Sequence, residues 1–335
     1  MHGWIIIDKP LGLGSTQVVS AIKRSLRQGG YGKFKVGHGG TLDPLATGVL
    51  PVAVGEATKL AGRMLDSDKV YAFTIRFGEQ TDTLDAEGPV IATSTVRPTL
   101  TDVEAVLPRF TGPIAQVPPA YSALKVDGER AYDLARAGEE VVLASRDVTI
   151  HSLTHSSPAR GRWHGKAVTE GEASGELGAS GNVPSTTPAE RSPSPAEARE
   201  ELAEVTLTAH VSKGTYIRSL ARDIAIALGT VGHVTMLRRL KAGPFDLAPA
   251  ISLDKLAEAG TARTLEHLLL PLRAGLDDIP ALPLSPDQAG ALRQGRVLTG
   301  IAKDDGQYFA CEGDTPVALV EVAAEEARVV RGFNL

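Results

Sequence analysis

The chain has 335 residues, 42% of them hydrophobic, and a formal net charge of −5, which describes a globular protein with room for two domains and a sizeable core. No apolar run approaches the roughly 20 residues of a membrane-spanning helix, and the N-terminal run reaches an acid too soon for a signal peptide. The single cysteine, Cys311, excludes an intrachain disulfide and a cysteine-based zinc site. We therefore expect a cytoplasmic protein whose chemistry uses no structural metal.

Positive charge is concentrated in two blocks, although the whole chain is acidic. Residues 1–41 contain six lysines and arginines against one acid, and residues 211–245 also contain six against one. Two basic blocks are compatible with an RNA-facing surface. The plainer alternative is a set of ordinary solvated helix faces, and charge alone leaves both open.

The first predicted elements are a short buried strand over residues 4–7 and an amphipathic helix. Ser15 is a candidate N-cap of this helix, and the apolar spacing carries it to about Leu26. A turn containing Lys9 lies between the strand and the helix.

Residues 37–51, with the sequence GHGGTLDPLATGVLP, are the most unusual stretch of the chain. Glycine and proline at this density exclude a regular helix or a central strand, and Pro44 biases Asp43 towards extended geometry. One interpretation is a loop that holds a functional acid; the alternative is an Asp-Pro turn whose aspartate accepts backbone hydrogen bonds. The loop lacks the Gly-Lys-Ser/Thr ending of a P-loop and the glycine spacing of a dinucleotide site.

A short helix over residues 56–65 and then a half-buried strand are predicted after this loop. Tyr71, Phe73, Ile75 and Phe77 alternate with smaller or polar residues, which is the period of a strand. Tyr71 opens this strand, where an aromatic residue taken alone is most simply part of the core.

Further along, Thr101 and Glu104 have the spacing of a capping box and predict the start of a helix. The next predicted elements are a proline-stiffened extended segment over residues 116–125, a helix near 131–137, and strands near 141–143 and 148–150.

The composition changes abruptly between residues 155 and 201, where Gly, Ser, Pro, Ala and Glu dominate. Such a segment buries too little apolar surface to offset its ordering entropy, so we predict a disordered, low-complexity insertion. Strand patterning resumes over residues 205–211. We therefore expect the insertion to interrupt a β-hairpin rather than to separate domains.

A helix is predicted to begin near Tyr216 and to end at Gly229. Its apolar spacing places Arg218 and Arg222 together on a face away from the apolar one, and Arg218 taken alone is most simply a solvated helix arginine. A short strand over residues 234–237 follows. Beyond it, a helical stretch leads to a boundary near residues 279–283, a short helix that starts at Ser285-Pro286, and short strands.

Four motifs occur in a fixed order, and two further segments reinforce them. The four are Ile7-Asp8-Lys9-Pro10, the loop of residues 37–48, Asp66-Ser67-Asp68-Lys69-Val70-Tyr71, and Ser212-Lys213-Gly214-Thr215-Tyr216-Ile217-Arg218; the two segments are residues 119–125 and 237–240. Each alone is a weak signal, but the ordered set is very specific. The chain closely resembles the TruB family of tRNA pseudouridine-55 synthases over residues 3–153 and 203–245, and more weakly through its C-terminal part.

The resemblance implies an α+β fold with a pseudouridine synthase core around a mixed, largely antiparallel sheet. A small β-rich, PUA-like module would follow at the C-terminus. We accordingly assign residues 1–250 to a catalytic domain that carries the insertion at 155–201, residues 251–279 to a linking helical stretch, and residues 280–335 to the module.

The implied function is that of an isomerase acting on one uridine in the T-loop of tRNA. The enzyme would break the N-glycosidic bond of this uridine and re-attach the base through C5. The family needs no cofactor and no metal. The expected partner is the T-arm stem-loop of tRNA, with no membrane association, and we expect a monomer.

The resemblance also implies roles for individual residues. Asp43 matches the catalytic aspartate, which attacks either the base or the anomeric carbon of the ribose, and a carboxylate can serve first as nucleophile and then as leaving group. Arg218 matches the arginine that pairs with it. Tyr71 matches the aromatic residue that stacks on the target base, an interaction worth roughly 1–3 kcal/mol, and that takes part in proton transfer at C5.

Four further residues match substrate-binding positions of the family. His38 would help to hold the flipped-out nucleotide, whose extrusion costs a few kcal/mol. Tyr216 and Leu237 would line its pocket, and Lys9 would make a structural or phosphate contact nearby.

The chain departs from the family pattern at Gly39, where threonine usually follows the histidine, so the local hydrogen bonding of the loop is open. Two rival functions remain to be weighed. One is a non-catalytic tRNA-binding or tRNA-folding protein that uses the same groove, which would not need Asp43, Tyr71 and Arg218 together. The other is a phosphate-loop hydrolase, which the missing lysine disfavours.

Overall fold

The computed structural model describes residues 1–122, 124–126, 128–139, 141–156 and 200–335. The disordered insertion predicted at 155–201 therefore falls almost entirely outside the described residues. Within the described part of the chain, no helix is long and apolar enough to cross a membrane.

The strands and helices are numbered separately in chain order. The strands are β1 (Gly3–Lys9), β2 (Val36–His38), β3 (Ala46–Val54), β4 (Lys69–Phe77), β5 (Glu79–Thr81), β6 (Val90–Thr93), β7 (Gly112–Gln116), β8 (Lys125–Val126), β9 (Glu129–Arg130), β10 (Arg146–His155), β11 (Glu204–Val211), β12 (Gly232–Ala242), β13 (Ala281–Pro283), β14 (Gly306–Glu312), β15 (Thr315–Ala323) and β16 (Glu326–Gly332). The helices are α1 (Ser15–Gln28), α2 (Ala61–Asp66), α3 (Leu100–Val106), α4 (Ala131–Arg136), α5 (Ile217–Ala227), α6 (Leu253–Ala262) and α7 (Pro286–Arg293). Short 3₁₀ turns lie at Gly55–Leu60, Leu107–Phe110, Leu265–Leu268 and Leu272–Gly275.

A large sheet forms the body of the protein, in the order β1-β3-β12-β4-β11-β10-β7, and β2 adds to β3. The β3–β12 pair is parallel, while the other described neighbours in this sheet run antiparallel. This confirms the expected α+β core around a mixed, largely antiparallel sheet. Because β10 and β11 pair antiparallel, the segment between them interrupts a hairpin, as the sequence predicted.

Two hydrophobic cores lie side by side on one face of this sheet. Ile22 of α1 lies in the core that α1 and α6 build on β1 and β3. Ile224 of α5 lies in the core that α3 and α5 build on β4 and β11. Tyr71 and Leu237 are partly buried and pack against both cores. They therefore mark a cleft between the two helical layers.

The C-terminal strands form a second sheet in the order β13-β14-β15-β16, with its own apolar core against α7. A further core joins this module to the body, because Phe309, Leu319 and Phe333 pack in one cluster with Trp4 and Ile6 of β1. Strand alternation turns Trp4 and Ile6 to the face opposite α1. The module therefore lies behind the sheet and leaves the cleft open.

The capping box was predicted two residues too late. Thr99 and Asp102 form it, since the Thr99 hydroxyl accepts from the Asp102 amide at 3.2 Å and the Asp102 carboxylate accepts from the Thr99 amide at 2.9 Å. The burial of Leu100 and Val103 sets this register, because a helix starting at Thr101 would leave Leu100 outside the apolar stripe.

One strand prediction was also wrong, and another strand was predicted too short. Residues 141–145 form no regular structure, and Val142 is 80% exposed because β10 begins to pair only at Arg146. The strand predicted over residues 234–237 is part of β12, which runs through Arg238 and Arg239. Charged residues suggested an end there, but β12 is a central strand in which Arg239 is buried.

Candidate active site

The loop that carries Asp43 is tied down through its backbone. Arg239 is buried, and its guanidinium donates to the carbonyls of Val49 at 2.7 Å, Gly40 at 3.2 Å and Thr41 at 3.3 Å. These hydrogen bonds offset the unfavourable free energy of burying the charged guanidinium. They also join β12 to both sides of the loop.

Lys9 and Ser15 hold the same loop from the other side. The Lys9 ammonium is fully buried and donates to the carbonyls of Pro10, Leu13 and Pro44. The Ser15 hydroxyl accepts from the Leu42 amide at 2.8 Å and donates to the Leu42 carbonyl at 3.1 Å. Ser15 therefore holds the loop in place. The N-cap of α1 is Gly14, and not Ser15 as the sequence predicted.

The glycine at position 48 is required by the close approach of β3 to β12. Gly48 has φ +100°, and a Cβ there would lie 2.2 Å from the Arg239 carbonyl oxygen. No other residue type fits this place.

Arg218 contacts two carboxylates and two backbone carbonyls of the site. It lies in the first turn of α5 and is only 8% exposed, so the plain alternative of a solvated helix arginine does not hold for this residue. One nitrogen, Nη2, lies 3.0 Å from Asp43 Oδ2 and donates to the Tyr121 carbonyl at 2.9 Å. The other, Nη1, donates to the Thr83 carbonyl at 2.9 Å and to Asp85 Oδ2 at 3.1 Å.

Asp85 is a second acid on this arginine that the sequence did not single out. Its side chain is 10% exposed, and its other oxygen accepts from the Thr83 hydroxyl at 2.6 Å and the Glu87 amide at 3.0 Å. Leu84 between them has φ +62°, a left-handed conformation that costs roughly 1–2 kcal/mol in a non-glycine residue. This turn lets the Thr83 carbonyl and the Asp85 carboxylate face one guanidinium.

Gln116 at the end of β7 fixes the start of α5. Its side-chain amide donates to the Tyr216 carbonyl at 3.1 Å and accepts from the Tyr216 amide at 2.8 Å. The Ser219 hydroxyl also donates to the Val117 carbonyl at 2.8 Å. Because Tyr216 is the N-cap of α5, these bonds position the turn that carries Arg218.

These elements surround an open pocket of about 330 Å³ in the cleft, a size typical of small-molecule sites, which run from about 300 to 1,000 Å³. Asp43 stands half exposed at its edge. The structure brings five of the predicted site residues together in its lining, namely Asp43, Tyr71, Tyr216, Arg218 and Leu237.

The two remaining predicted residues do not line this pocket. Lys9 lies beneath the loop and is occupied by backbone carbonyls. His38 ends β2, five residues before Asp43, and is half buried. Its Nδ1 is buried with no hydrogen-bond partner in the described part of the chain. Burial, and then the charge of Arg239, lower the pKa of His38, so this imidazole is neutral at neutral pH.

Burial also lowers the pKa of two lysines near the loop. Lys9 has a pKa of about 8, with the nearby Asp43 charge opposing the shift. Lys69, which lines the pocket, has a pKa of about 8 through burial and the charge of Arg239. Both remain largely protonated at neutral pH, and the Lys69 ammonium donates to the carbonyls of Leu65 and Ser67.

The unusual Gly39 fits its surroundings. A Cβ at this position would lie 2.5 Å from Cβ of Met64, so the side chain of Met64 on α2 occupies the space that a larger residue would need. The departure from the family pattern is therefore matched by packing from a neighbouring helix.

The geometry presents a half-exposed carboxylate to an open pocket, with a buried arginine beside it and an aromatic side chain in the same lining. Such a carboxylate can attack an electrophilic carbon and later leave, while the arginine stabilises negative charge.

Comparison with known families decides between the alternatives. The model of the TruB family pseudouridylate synthase N-terminal domain matches residues 26–168, and that of the tRNA pseudouridylate synthase B C-terminal domain matches residues 218–277. The chain belongs to the TruB family. It is therefore a pseudouridine synthase, an isomerase, as the sequence motifs predicted.

Curated relatives of this TruB-family chain match along its whole length. A tRNA pseudouridine synthase B from Novosphingobium aromaticivorans is 63% identical and covers 100% of this chain and 98% of the relative. A protein of the same name from Zymomonas mobilis is 55% identical, covering 100% and 96%.

Solved structures show the same fold at low sequence identity. The chain in an H/ACA RNP bound to a substrate RNA containing 2'-deoxyuridine has a TM-score of 0.66 at 20% identity, covering 99% of the TruB-family chain and 85% of its own length. The chain from the archaeal box H/ACA sRNP Nop10-Cbf5 complex has a TM-score of 0.64 at 21% identity, covering 99% and 86%.

Proposed function

We propose that this pseudouridine synthase isomerises uridine 55 in the T-loop of tRNA. The observation that carries the proposal is the 3.0 Å contact between Arg218 and Asp43 at the edge of a pocket that Tyr71 also lines. The names of the full-length relatives support tRNA as the substrate. Unstacked loop bases are the RNA features that proteins read most readily, which suits a stem-loop.

In the proposed reaction the N1–C1′ bond of the uridine breaks and a C5–C1′ bond forms. Asp43 attacks either the base or the ribose anomeric carbon and is released when the new bond forms. The proton on C5 is lost and one is gained at N1, so the product is an isomer and no oxidant is consumed. Tyr71 stacks on the base and assists the proton transfer at C5.

The remaining residues serve binding and support. Tyr216 and Leu237 line the base pocket, and His38, held neutral beside the loop, helps to retain the flipped-out nucleotide. Lys9 acts structurally, because its three hydrogen bonds go to backbone carbonyls. No cofactor takes part in this scheme.

The rival function, non-catalytic binding or folding of tRNA, does not account for the charged network. A surface that only binds RNA gains nothing from two carboxylates that converge on one buried arginine, since acids repel phosphate. The network instead suits a reaction at a carbon atom.

The test incubates the purified protein with an unmodified tRNA transcript and maps pseudouridine at single-nucleotide resolution. We expect modification at position 55 by the wild type, and none in a transcript with cytidine there. The Asp43→Asn variant should bind tRNA but form no product, and Asp66→Asn, an exposed acid nearby, is the matched control. Product formation by Asp43→Asn would refute the nucleophile.

Arg218→Ala tests the ion pair. We expect tRNA affinity within about tenfold of the wild type, about 1.4 kcal/mol, and a much larger loss of turnover. A T-arm stem-loop transcript in place of whole tRNA tests the proposed T-arm specificity. We further propose that the enzyme acts in the cytoplasm as a monomer, because one chain supplies the whole pocket lining; light scattering with and without tRNA checks its mass.

A further inference from the structure

A second cluster of chemically reactive side chains lies away from the pocket, at the start of β4 and along β10 and β11. It consists of Asp68, His151 and His210. His210 lies opposite Val70 in the β4–β11 register, and strand alternation turns both away from the face that carries Tyr71. The cluster and the pocket therefore occupy opposite faces of the sheet.

The two imidazoles converge on one carboxylate oxygen. His151 Nε2 lies 3.1 Å from Asp68 Oδ2, and His210 Nε2 lies 3.8 Å from the same atom. The two rings are 4.6 Å apart at their centroids. All three potential ligand atoms lie within 4.8 Å of one another, with side chains between 37% and 48% exposed.

This spacing suits a metal ion. Bonds of about 2.0–2.2 Å from zinc to imidazole nitrogen and carboxylate oxygen place tetrahedral ligand atoms roughly 3.4 Å apart. The two nitrogen–oxygen separations, 3.1 and 3.8 Å, bracket that value, and the two nitrogens lie within 4.8 Å of each other, so small rotations of the side chains would complete the geometry. Solvent exposure leaves the remaining coordination position to water.

The chemistry of the donors selects the class of ion. Two imidazoles and one carboxylate favour zinc, copper or nickel, whereas magnesium and calcium prefer sites made of oxygen atoms. The single cysteine, Cys311, is not part of this cluster. The donor atoms are therefore nitrogen and oxygen only.

The backbone holds the three ligands in place before any ion binds. A bulge between Ile150 and Ser152 brings His151 out of the regular β10 alternation. The carbonyl of Asp68 accepts a hydrogen bond from the Gly243 amide at 2.9 Å, which fixes the residue just before β4. Ligands on rigid, hydrogen-bonded elements lose little conformational entropy on binding.

We propose that Asp68, His151 and His210 form a surface site for a late first-row divalent metal, with zinc as the preferred ion. The ion would join β10 and β11, the two strands that flank the 157–199 segment, to the start of β4. This role is structural and independent of the proposed reaction, since none of the three residues lines the pocket. From the sequence we predicted no metal, because only cysteine ligands for zinc were considered. These three ligands come from separate segments of the chain, so no local motif indicates them.

The test uses the full-length protein without an affinity tag, stripped with a chelator and dialysed against Zn²⁺ at pH 7.5 in excess Mg²⁺. We expect one zinc per chain with a Kd of about 1 μM or tighter. His151→Ala and His210→Ala should each weaken binding by at least about tenfold, whereas His155→Ala, another histidine of β10, should bind zinc as the wild type does. Zinc should raise the Tm of the wild type and of His155→Ala but not of His210→Ala.

Pseudouridine formation on tRNA should be the same in all three variants, which checks that each is folded. Stoichiometric zinc retained by both His151→Ala and His210→Ala would overturn the proposal. So would loss of zinc in Cys311→Ser with both histidines intact, because the ion would then belong to the thiol. Wild-type binding no tighter than that of His210→Ala would reduce the cluster to a hydrogen-bonded His–Asp pair.

Discussion

Asp43 and Arg218 lie 3.0 Å apart, yet the protein holds these two charged groups by different means. The loop of Asp43 is fixed through its backbone by Arg239, Lys9 and Ser15, and its carboxylate stands 47% exposed. Arg218 is fixed through its own side chain, which is 9% exposed and donates to two backbone carbonyls and Asp85 as well as facing Asp43.

The difference suits the two roles proposed for these groups. A nucleophile needs a precise origin and freedom to rotate onto the substrate, which a rigid backbone and an exposed side chain provide. A cation that stabilises changing charge works best when it does not move, because preorganised groups need no rearrangement during the reaction. Substitutions can disturb the support of Arg218 and the support of Asp43 separately, and the largest loss of turnover is expected at the partners of Arg218.

Asp85→Asn removes the negative charge of one partner of Arg218, while the shape of the side chain at position 85 stays nearly the same. The guanidinium then has Asp43 as its remaining acid and is drawn towards it, and a displacement of about 1 Å at a reacting group costs up to about 100-fold in rate. We expect turnover on tRNA to fall by about 100-fold with little change in affinity, measured by single-turnover kinetics.

Asp102→Asn is the control for this variant, because it alters an acid that caps α3 away from the pocket. We expect it to reduce stability slightly and to leave turnover unchanged. If Asp85→Asn turned over at the wild-type rate, Arg218 would not depend on its side-chain partners, and the contrast with Asp43 would fail.

Gln116→Leu tests the support of the Arg218 helix. It leaves the Tyr216 amide without its partner, while the Tyr216 carbonyl keeps the hydrogen bond from the Leu220 amide. An unpaired buried group costs roughly 1–3 kcal/mol. If part of this cost displaces the first turn of α5, turnover falls by about tenfold, or about 1.4 kcal/mol. Gln288→Leu, which removes a similar bond to the Ser285 amide of α7, should lower the Tm but not the turnover.

Arg239→Lys tests the support of the Asp43 loop. Lysine keeps the charge but cannot reproduce the planar fork, so some of the bonds to Val49, Gly40 and Thr41 are lost. We expect turnover to fall by about fivefold, close to 1 kcal/mol for one such bond. Arg63→Lys, at the contact with the C-terminal module, should leave turnover unchanged; an equal loss there would point to a general loss of stability.

Local signals in the sequence were sufficient for the irregular backbone around Asp43, for the strand of Tyr71 and for the helix start of Arg218. The predicted loop was too long, because residues 46–51 belong to the central strand β3. Glycine and proline density, alternation and helical spacing all act within about ten residues, so the chain itself shows them. The family motifs then indicated which of these features belong together.

The sequence did not reveal Asp85, Gln116 or the burial of Arg218. The bond from Gln116 to Tyr216 spans 100 residues, and that from Asp85 to Arg218 spans 133. Their polar side chains look solvated until the sheet places β7 and the turn of Leu84 beside α5. The role of Arg239 in holding the loop was not predicted either. Its acceptors are backbone carbonyls, which have no signature in the sequence.

Gly39→Ala has the smallest expected effect on turnover and tests whether the loop is held by packing as well as by hydrogen bonds. A Cβ there would meet the Met64 Cβ at 2.5 Å, so α2 must shift, and overpacking of this kind typically costs about 1–3 kcal/mol. We expect a lower free energy of unfolding in a urea titration, with turnover per folded molecule nearly unchanged because Arg239 and Lys9 still fix the loop. Gly37→Ala is the matched control, since a Cβ at Gly37 meets nothing within 4 Å. Equal destabilisation by both variants would show that the contact with Met64 does not explain Gly39, while a large loss of turnover in Gly39→Ala alone would show that α2, and not only the buried cations, positions Asp43.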